Sequence, residues 1–285
     1  MGPMAIFVAI AAVTLSGATA IAAPVTVNVD GQQRTALVEG TMAPGPHPTI
    51  LMLHGGGGTA DGVAKASGLG PVGVREGFVA VFPVGIDKSW VDGRVKIVNR
   101  DQSHGVAPPN DFAFIKALVA QLIATGVSDP KRIYMAGFSN GGYMSLAMAC
   151  NDPAMFAGIA VVEANIPAVA APGCHPAMPV PFLEMSGTAD PKVKFGGTTA
   201  PDGGIWPTMK TVDFFRTLDG CGDQTSDQQL KAPEPGSTGT DVTRWTACTK
   251  APVVLYKIIG GVHRVPQPPF AANQLWAFFK DQART

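Results

Sequence analysis

The chain has 285 residues, and its 21 basic and 21 acidic side chains give a formal net charge of zero. That balance, without any basic cluster, excludes a nucleic-acid-binding protein, which needs a positive surface to displace counterions. Apolar residues make up 46%, enough for a large buried core, while the 34 glycines and 25 prolines stay below the ~25–30% of low-complexity chains.

Residues 5–22 carry no charge and end in Ala20-Ile21-Ala22, a small-x-small pattern of the kind signal peptidases cut. Thr14, Ser16, Gly17 and Thr19 make the second half too weakly apolar for a good membrane anchor. Residues 1–22 are therefore expected to be a signal peptide, although the first four residues lack the usual Lys or Arg, and residues 23–285 to form one domain. No cysteine lies near the cut, so no lipid anchor is expected, and the mature protein is expected to have no membrane contact. Its place is outside the cell or in the periplasm. Residues 25–29 and 34–38 flank Asp30-Gly31 and read as a β-hairpin. Short apolar runs at 50–53, 78–82, 133–136, 159–162, 182–185 and 253–259 read as buried strands. An amphipathic helix follows Asn110 or Asp111 and ends at Gly126, with further helices over 142–150, 208–218 and 271–280. Strands alternating with helices predict an α/β domain whose central sheet is mostly parallel and covered on both faces. Residues 231–240, rich in Gly, Pro and Ser, read as a surface excursion.

In an oxidising compartment, the four cysteines read as two disulfides. Proximity favours Cys150–Cys174 and Cys221–Cys248, closing loops of about 25 and 28 residues that each add roughly 3.5 kcal/mol in a chain-entropy account. The alternative is buried free thiols. No metal site is expected, since C-x-x-C spacing is missing and the five histidines are scattered.

The segment Gly137-Phe138-Ser139-Asn140-Gly141-Gly142 sits between a strand and a helix, the context in which G-x-S-x-G makes a nucleophile elbow. Its glycines let strand and helix converge while the turn lifts Ser139 out of the sheet. A serine hydroxyl needs a base. Of the histidines downstream of Ser139, His175 follows a cysteine, while His263 follows the last strand, where hydrolases of this order place it. The acid that sets its tautomer is expected at Asp190, in the loop after the 182–185 strand. Asp152 and Asp213 lie just past or inside helices and are badly placed. An oxyanion needs two donors: the amide of Asn140, and one from the glycine run after Leu53-His54, with Gly56 preferred and Gly57 second. A phosphate loop is the competing reading of those glycines, but no G-K-[ST] follows. Trp90 and Trp206, in loops, are candidate walls of an acyl or aromatic-acid pocket, the alternative being that they cover apolar surface.

Taken together, Leu-His-Gly-Gly-Gly-Gly at 53–58, Gly-Phe-Ser-Asn-Gly-Gly at 137–142, Gly-Thr-Ala-Asp-Pro at 187–191 and Gly-Gly-Val-His at 260–263 resemble the polyhydroxybutyrate depolymerase/feruloyl esterase group of α/β-hydrolases. The resemblance spans nearly the whole expected mature chain. It implies a secreted carboxylesterase with Ser139 as nucleophile, His263 as base and Asp190 as orienting acid, needing no cofactor. The expected substrate is a polyhydroxyalkanoate, feruloyl or related ester, polymeric or plant-derived. Where that family usually has Gly-Gly-His-Thr-Trp-Pro, this chain has Gly-Val-His-Arg-Val-Pro, so one aromatic of the pocket wall is missing; Arg264 reads as a surface residue. The rival readings are a serine peptidase, whose elbow is also G-x-S-x-G-G, and a non-catalytic binding protein on a hydrolase scaffold.

Overall fold

The structure is a computed structural model and describes residues 21–41, 43–92, 94, 110–200 and 203–284. All but the last two residues of the expected signal peptide, and His104, lie outside the described residues. The hairpin comprises β1 (Ile21–Val29) and β2 (Gln32–Gly40). Asp30 and Gly31 both have positive φ (51° and 81°), the tight turn that Asp-Gly encodes. Strand β1 begins two residues before the expected cut, and its pairing with β2 shifts register between Ala22 and Val25. A chain starting at Ala23 would therefore keep the regular Val25–Val29 ladder.

Strand β3 (His47–Leu53) leads through helices α1 (Ala60–Ser67) and α2 (Leu69–Glu76) to β4 (Val79–Pro83). Helix α3 (Asp111–Ala124) is capped by Asn110, whose Oδ1 accepts the Ala113 amide at 3.0 Å. Next come β5 (Ser128–Phe138), α4 (Asn140–Asn151), β6 (Gly158–Val162), β7 (Phe182–Gly187) and α5 (Thr208–Leu218). The chain ends with β8 (Thr225–Leu230), β9 (Gly239–Trp245), β10 (Val253–Ile259) and α6 (Phe270–Phe279). The ten strands form one sheet in the order β1-β2-β4-β3-β5-β6-β7-β10-β9-β8. The run from β4 to β10 is parallel, and the hairpins at both ends are antiparallel.

Side chains of each central strand alternate between two cores. Leu51, Leu53, Ile133, Met135, Ile159 and Val161 face α3, α4 and α5. Their neighbours, such as Ile50, Met52, Tyr134 and Ala160, face α1, α2 and α6. Helices α1 and α2 and strands β8 and β9 escape the sequence pattern. The helices carry glycines and a proline among their apolar residues, and β8 is exposed along nearly its whole length. Residues 231–240 are more than a surface excursion, because Glu234 is 5% exposed and its Oε1 accepts the Val262 amide at 2.9 Å.

The chain leaves β3 toward β4 on one side, and the next crossover returns it to β5 on the other side of β3. Loops after β3 and β5 consequently diverge and open a crevice at the carboxyl ends of these strands, where open α/β sheets bind ligands. Both expected disulfides are formed: Cys150–Cys174 ties the end of α4 to the loop before β7, and Cys221–Cys248 joins the segments flanking β8 and β9. At the end of α5, the buried Asp219 accepts the Val180 amide at 2.9 Å. Burial pushes its carboxyl from 3.8 up to about 7, the Val180 bond and the Lys250 charge opposing it. The native state thus holds this proton more firmly than the unfolded chain, and that stabilisation disappears as pH rises from about 4 to about 7. Asp219→Asn keeps the acceptor and removes the titration. The variant's melting temperature should fall less than the wild type's across this window, which thermal denaturation at stepped pH measures.

Candidate active site

Ser139 occupies the turn between β5 and α4 with φ 52° and ψ −117°, a backbone conformation that non-glycine residues adopt only when their surroundings enforce it. The enforcement is a close backbone approach. A Cβ on Gly137 would lie 2.1 Å from the Gly141 carbonyl oxygen, and one on Gly141 would lie 2.5 Å from that of Leu53. The Ser139 amide donates to Val162 O at 2.9 Å, and the hydroxyl stands over the amino end of α4, the positive end of the helix dipole.

Two loops bring His263 and Asp190 to it. The loop after β10 places His263 Nε2 2.9 Å from Ser139 Oγ. The loop after β7 places Asp190 Oδ2 2.6 Å from His263 Nδ1. The two loops are laced together by Ala189 N–H donating to Gly261 O and Gly260 N–H donating to Thr188 Oγ1, at 2.9 and 2.8 Å. Asp190 Oδ1 accepts the amides of Lys192 and Val193 at 2.7 and 2.9 Å. Burial alone would raise the Asp190 carboxyl, but the bonds from His263 and these two amides help to outweigh it and hold the group below the usual carboxylate range. The residue is therefore charged at neutral pH, and a charged acceptor at Nδ1 directs the imidazole's lone pair, at Nε2, toward the serine.

Of the four glycines after β3, Gly57 donates its amide to Lys88 O at 2.8 Å and Gly58 donates to Gly55 O at 2.9 Å. Among the described residues, no acceptor takes the amide of Gly56. The Asn140 amide is likewise without one, as expected at the first position of a helix. The second candidate, Gly57, is thereby set aside in favour of Gly56.

The two tryptophans do not wall this cleft. Trp90 is 1% exposed. Its Nε1–H donates to His54 O and its amide donates to Asn140 Oδ1, both at 2.8 Å, and its ring stacks on Phe114. It braces the glycine loop from beneath, because a buried indole must satisfy its N–H and here the acceptor is the loop's own backbone. His54 does the same. Its Nε2 accepts the Gly85 amide at 3.1 Å, leaving Nδ1–H for Gly55 O at 2.9 Å, and burial lowers its pKa. Trp206 is half-buried and lines a separate outer cleft of about 550 Å³ with Lys210 and Phe214. Its neighbour Ile205 lines the cleft that holds Ser139.

The Ser139 cleft, about 500 Å³, also holds residues the sequence reading passed over: Lys88, Arg94, Tyr143 and Lys192. Arg94 pairs with Asp92 at 2.6 Å and lies 4.0 Å over the Tyr143 ring. Asp92 in turn accepts Asn140 Nδ2 at 2.6 Å. Asn140 thus presents its amide at the site while its side chain staples residues 89–92 beneath the glycine loop. No motif marks the Asn140–Asp92 and Arg94–Tyr143 contacts, because each joins segments that are distant in sequence.

A family model described as esterase PHB depolymerase matches residues 37–232. NocK of Nocardia uniformis subsp. tsuyamanensis, a protein assigned to the esterases, is 31% identical over 80% of this chain and 68% of its own. Feruloyl esterase C of Emericella nidulans is 27% identical over 82% of this chain and 78% of its own. Among solved structures, an acetyl xylan esterase from Aspergillus awamori superimposes with a TM-score of 0.62 at 14% identity, covering 91% of this chain and 99% of its own; that likeness concerns the fold, the α/β-hydrolase fold.

The placement of Trp90 has a measurable consequence. Trp90→Phe retains the stacked ring and deletes the bond to His54 O, a loss of about 1 kcal/mol or more for a buried group. It should lower kcat on a p-nitrophenyl ester roughly tenfold with little change in KM, a loss of about 1.4 kcal/mol. A rise in KM at unchanged kcat would place the indole against substrate instead.

Proposed function

This chain belongs to the PHB depolymerase esterase family and acts on carboxylic esters as a serine hydrolase, and from that premise we propose that Ser139, His263 and Asp190 carry the reaction through an acyl-enzyme. The observation that supports this most directly is the unbroken chain of hydrogen bonds from Ser139 Oγ through His263 to Asp190. Ser139 Oγ attacks the ester carbonyl carbon while His263 Nε2 takes its proton, and the Gly56 and Asn140 amides receive the charge that develops on the carbonyl oxygen. The C–O bond of the ester breaks as His263 returns that proton to the leaving alcohol. Water, deprotonated by the same nitrogen, then attacks the acyl-serine, releasing the acid and restoring Ser139. The steps need no cofactor.

The substrate we propose is a feruloyl, hydroxyalkanoate or related ester, polymeric or plant-derived. The kinship with a feruloyl esterase supports this, as does a cleft of about 500 Å³ at Ser139, roomy enough for more than a methyl ester. We further propose that residues 1–22 are removed and that residues 23–285 act as a single catalytic domain outside the cell or in the periplasm. The two disulfides support an oxidising compartment. Among the described residues no helix is long and apolar enough to cross a membrane.

Ser139→Ala should lower kcat on the order of 10⁴–10⁶-fold while leaving ester binding largely intact, and a fluorophosphonate should label the wild type at Ser139 alone. Wild-type turnover by the alanine variant removes the proposal. A panel of methyl ferulate, hydroxybutyrate oligomers, acetylated xylan and a peptide amide, compared by kcat/KM, ranks the substrates. Amides cleaved faster than esters would favour a peptidase.

A further inference from the structure

Beneath Asp190 lies a second carboxyl that the scheme above does not use. Glu163 is the first residue after β6, is 1% exposed, and has a φ of 52°, left-handed backbone that a glutamate adopts only when its surroundings hold it. Its amide donates to Met185 O at 2.9 Å. Its Oε1 accepts the Gly187 amide at 2.8 Å, so the side chain reaches across to β7 at the root of the acid loop. A carboxylate oxygen of Glu163, one of Asp190 and a ring nitrogen of His263 all lie within 4.8 Å of one another. Glu163 Oε2 is buried and receives no hydrogen bond among the described residues.

Two carboxyls so near each other and so buried do not both ionise. Donors are unequally shared between them: Asp190 receives the His263 ring and the Lys192 and Val193 amides, whereas Glu163 receives the Gly187 amide alone. The charge therefore settles on Asp190 and the proton on Glu163, where Oε2 becomes a donor in need of an acceptor. We infer that Glu163 is a positioning residue, a neutral acid whose Oε2–H donates to the Asp190 carboxylate and so keeps that carboxylate directed at His263. Burial, reinforced by the bond to Asp190 and its charge, lifts the Glu163 carboxyl well above its ordinary range. The ionisable groups around it are consistent with this. Glu184 of β7 also faces it, and burial raises that carboxyl too, against the bond from Ser186 Oγ. Tyr143 of α4 faces Asp190 and Glu184, with Arg94 and Asp92 beside it, and Glu234 faces Asp190.

The inference rests on the reading of Asp190 as the orienting acid, and the variants below separate the two. Glu163→Gln can donate an amide hydrogen to Asp190 while still accepting from Gly187. It should keep kcat on a p-nitrophenyl ester within about threefold of wild type, and it should lose the alkaline fall in kcat that ionisation of Glu163 imposes on the wild type. Glu163→Leu, similar in size and without a donor, should lower kcat roughly 10–100-fold, the usual cost of losing a supporting hydrogen bond to a catalytic ligand, with KM unchanged. Added to Asp190→Asn, the same substitution should change kcat by less than about twofold, since its target is already lost. The inference is overturned if Glu163→Leu keeps wild-type kcat, if Glu163→Gln is as impaired as Glu163→Leu, or if the leucine and asparagine losses multiply. Should the leucine variant fail to fold, an alkaline limb in Glu163→Gln identical to the wild type's overturns it alone. Wild-type turnover by Asp190→Asn would instead overturn the parent reading, and the Glu163 variants, measured with Asp190 intact, keep the two results distinct.

Discussion

Everything at this site depends on how closely three stretches of backbone approach one another where β3, β5 and α4 meet. Gly137 and Gly141 have no room for a side chain because each would strike a carbonyl of the neighbouring segment. Their contact forces the left-handed backbone of Ser139, and that backbone sets the hydroxyl at the amino end of the helix. The same approach brings the glycine loop after β3 beside Asn140, so the Ser139 hydroxyl and the Gly56 and Asn140 amides come together through one packing event rather than separate placements. Strain of this kind, on the order of 1–3 kcal/mol for a residue in sparsely populated φ/ψ space, persists because β3 and β6, on either side of β5, are buried along almost their whole length.

Around that point the structure separates polar groups by what they support. One set secures the glycine loop: Trp90, His54 and the Asn140 side chain, each bonded to backbone from a different part of the chain. A second set secures Asp190 and His263: the amides of Lys192 and Val193 on Asp190, and Glu234 on the loop of His263. The buried Arg34–Asp111 pair joins the hairpin to the start of α3, and its carboxylate also accepts the Val91 amide, so the first set is anchored in turn to the sheet edge. Burial raises the carboxyls of Glu163, Glu184 and Glu234 around Asp190, whose own carboxyl is held below the usual range.

The parallel strands were readable because complete burial leaves uninterrupted apolar runs, as at 133–136 and 253–259, and the helix after Asn110 because one face alone is buried. Ser139, Asp190 and His263 could be singled out since each follows a strand and each carries chemistry that the order of a hydrolase demands. What escaped has a common cause. The brace residues Trp90, Asp92 and Glu163 have meaning only through segments tens of residues away, and a tryptophan in a loop looks the same from sequence whether it meets substrate or the underside of a loop. Helices α1 and α2 were hidden by glycines that pack closely against their neighbours; at Gly73, for example, a Cβ would meet the Phe78 carbonyl oxygen at 2.6 Å. Strand β8 has no buried face to leave a pattern.

That last strand also shapes how the molecule behaves among its own copies. Among the described residues β8 pairs with β9 on one side and with no strand on the other, so its outer row of amides and carbonyls forms an edge that an extended chain could join. An apolar ribbon there would invite sheet-to-sheet growth while the chain folds among its own copies. Instead the exposed sequence Thr-Ser-Asp-Gln-Gln keeps both faces of the ribbon hydrated and places a carboxylate at its middle, so a second β8 would have to strip water and juxtapose like charges to dock. The strand with the weakest sequence signal is, for that reason, a guard against colloidal failure.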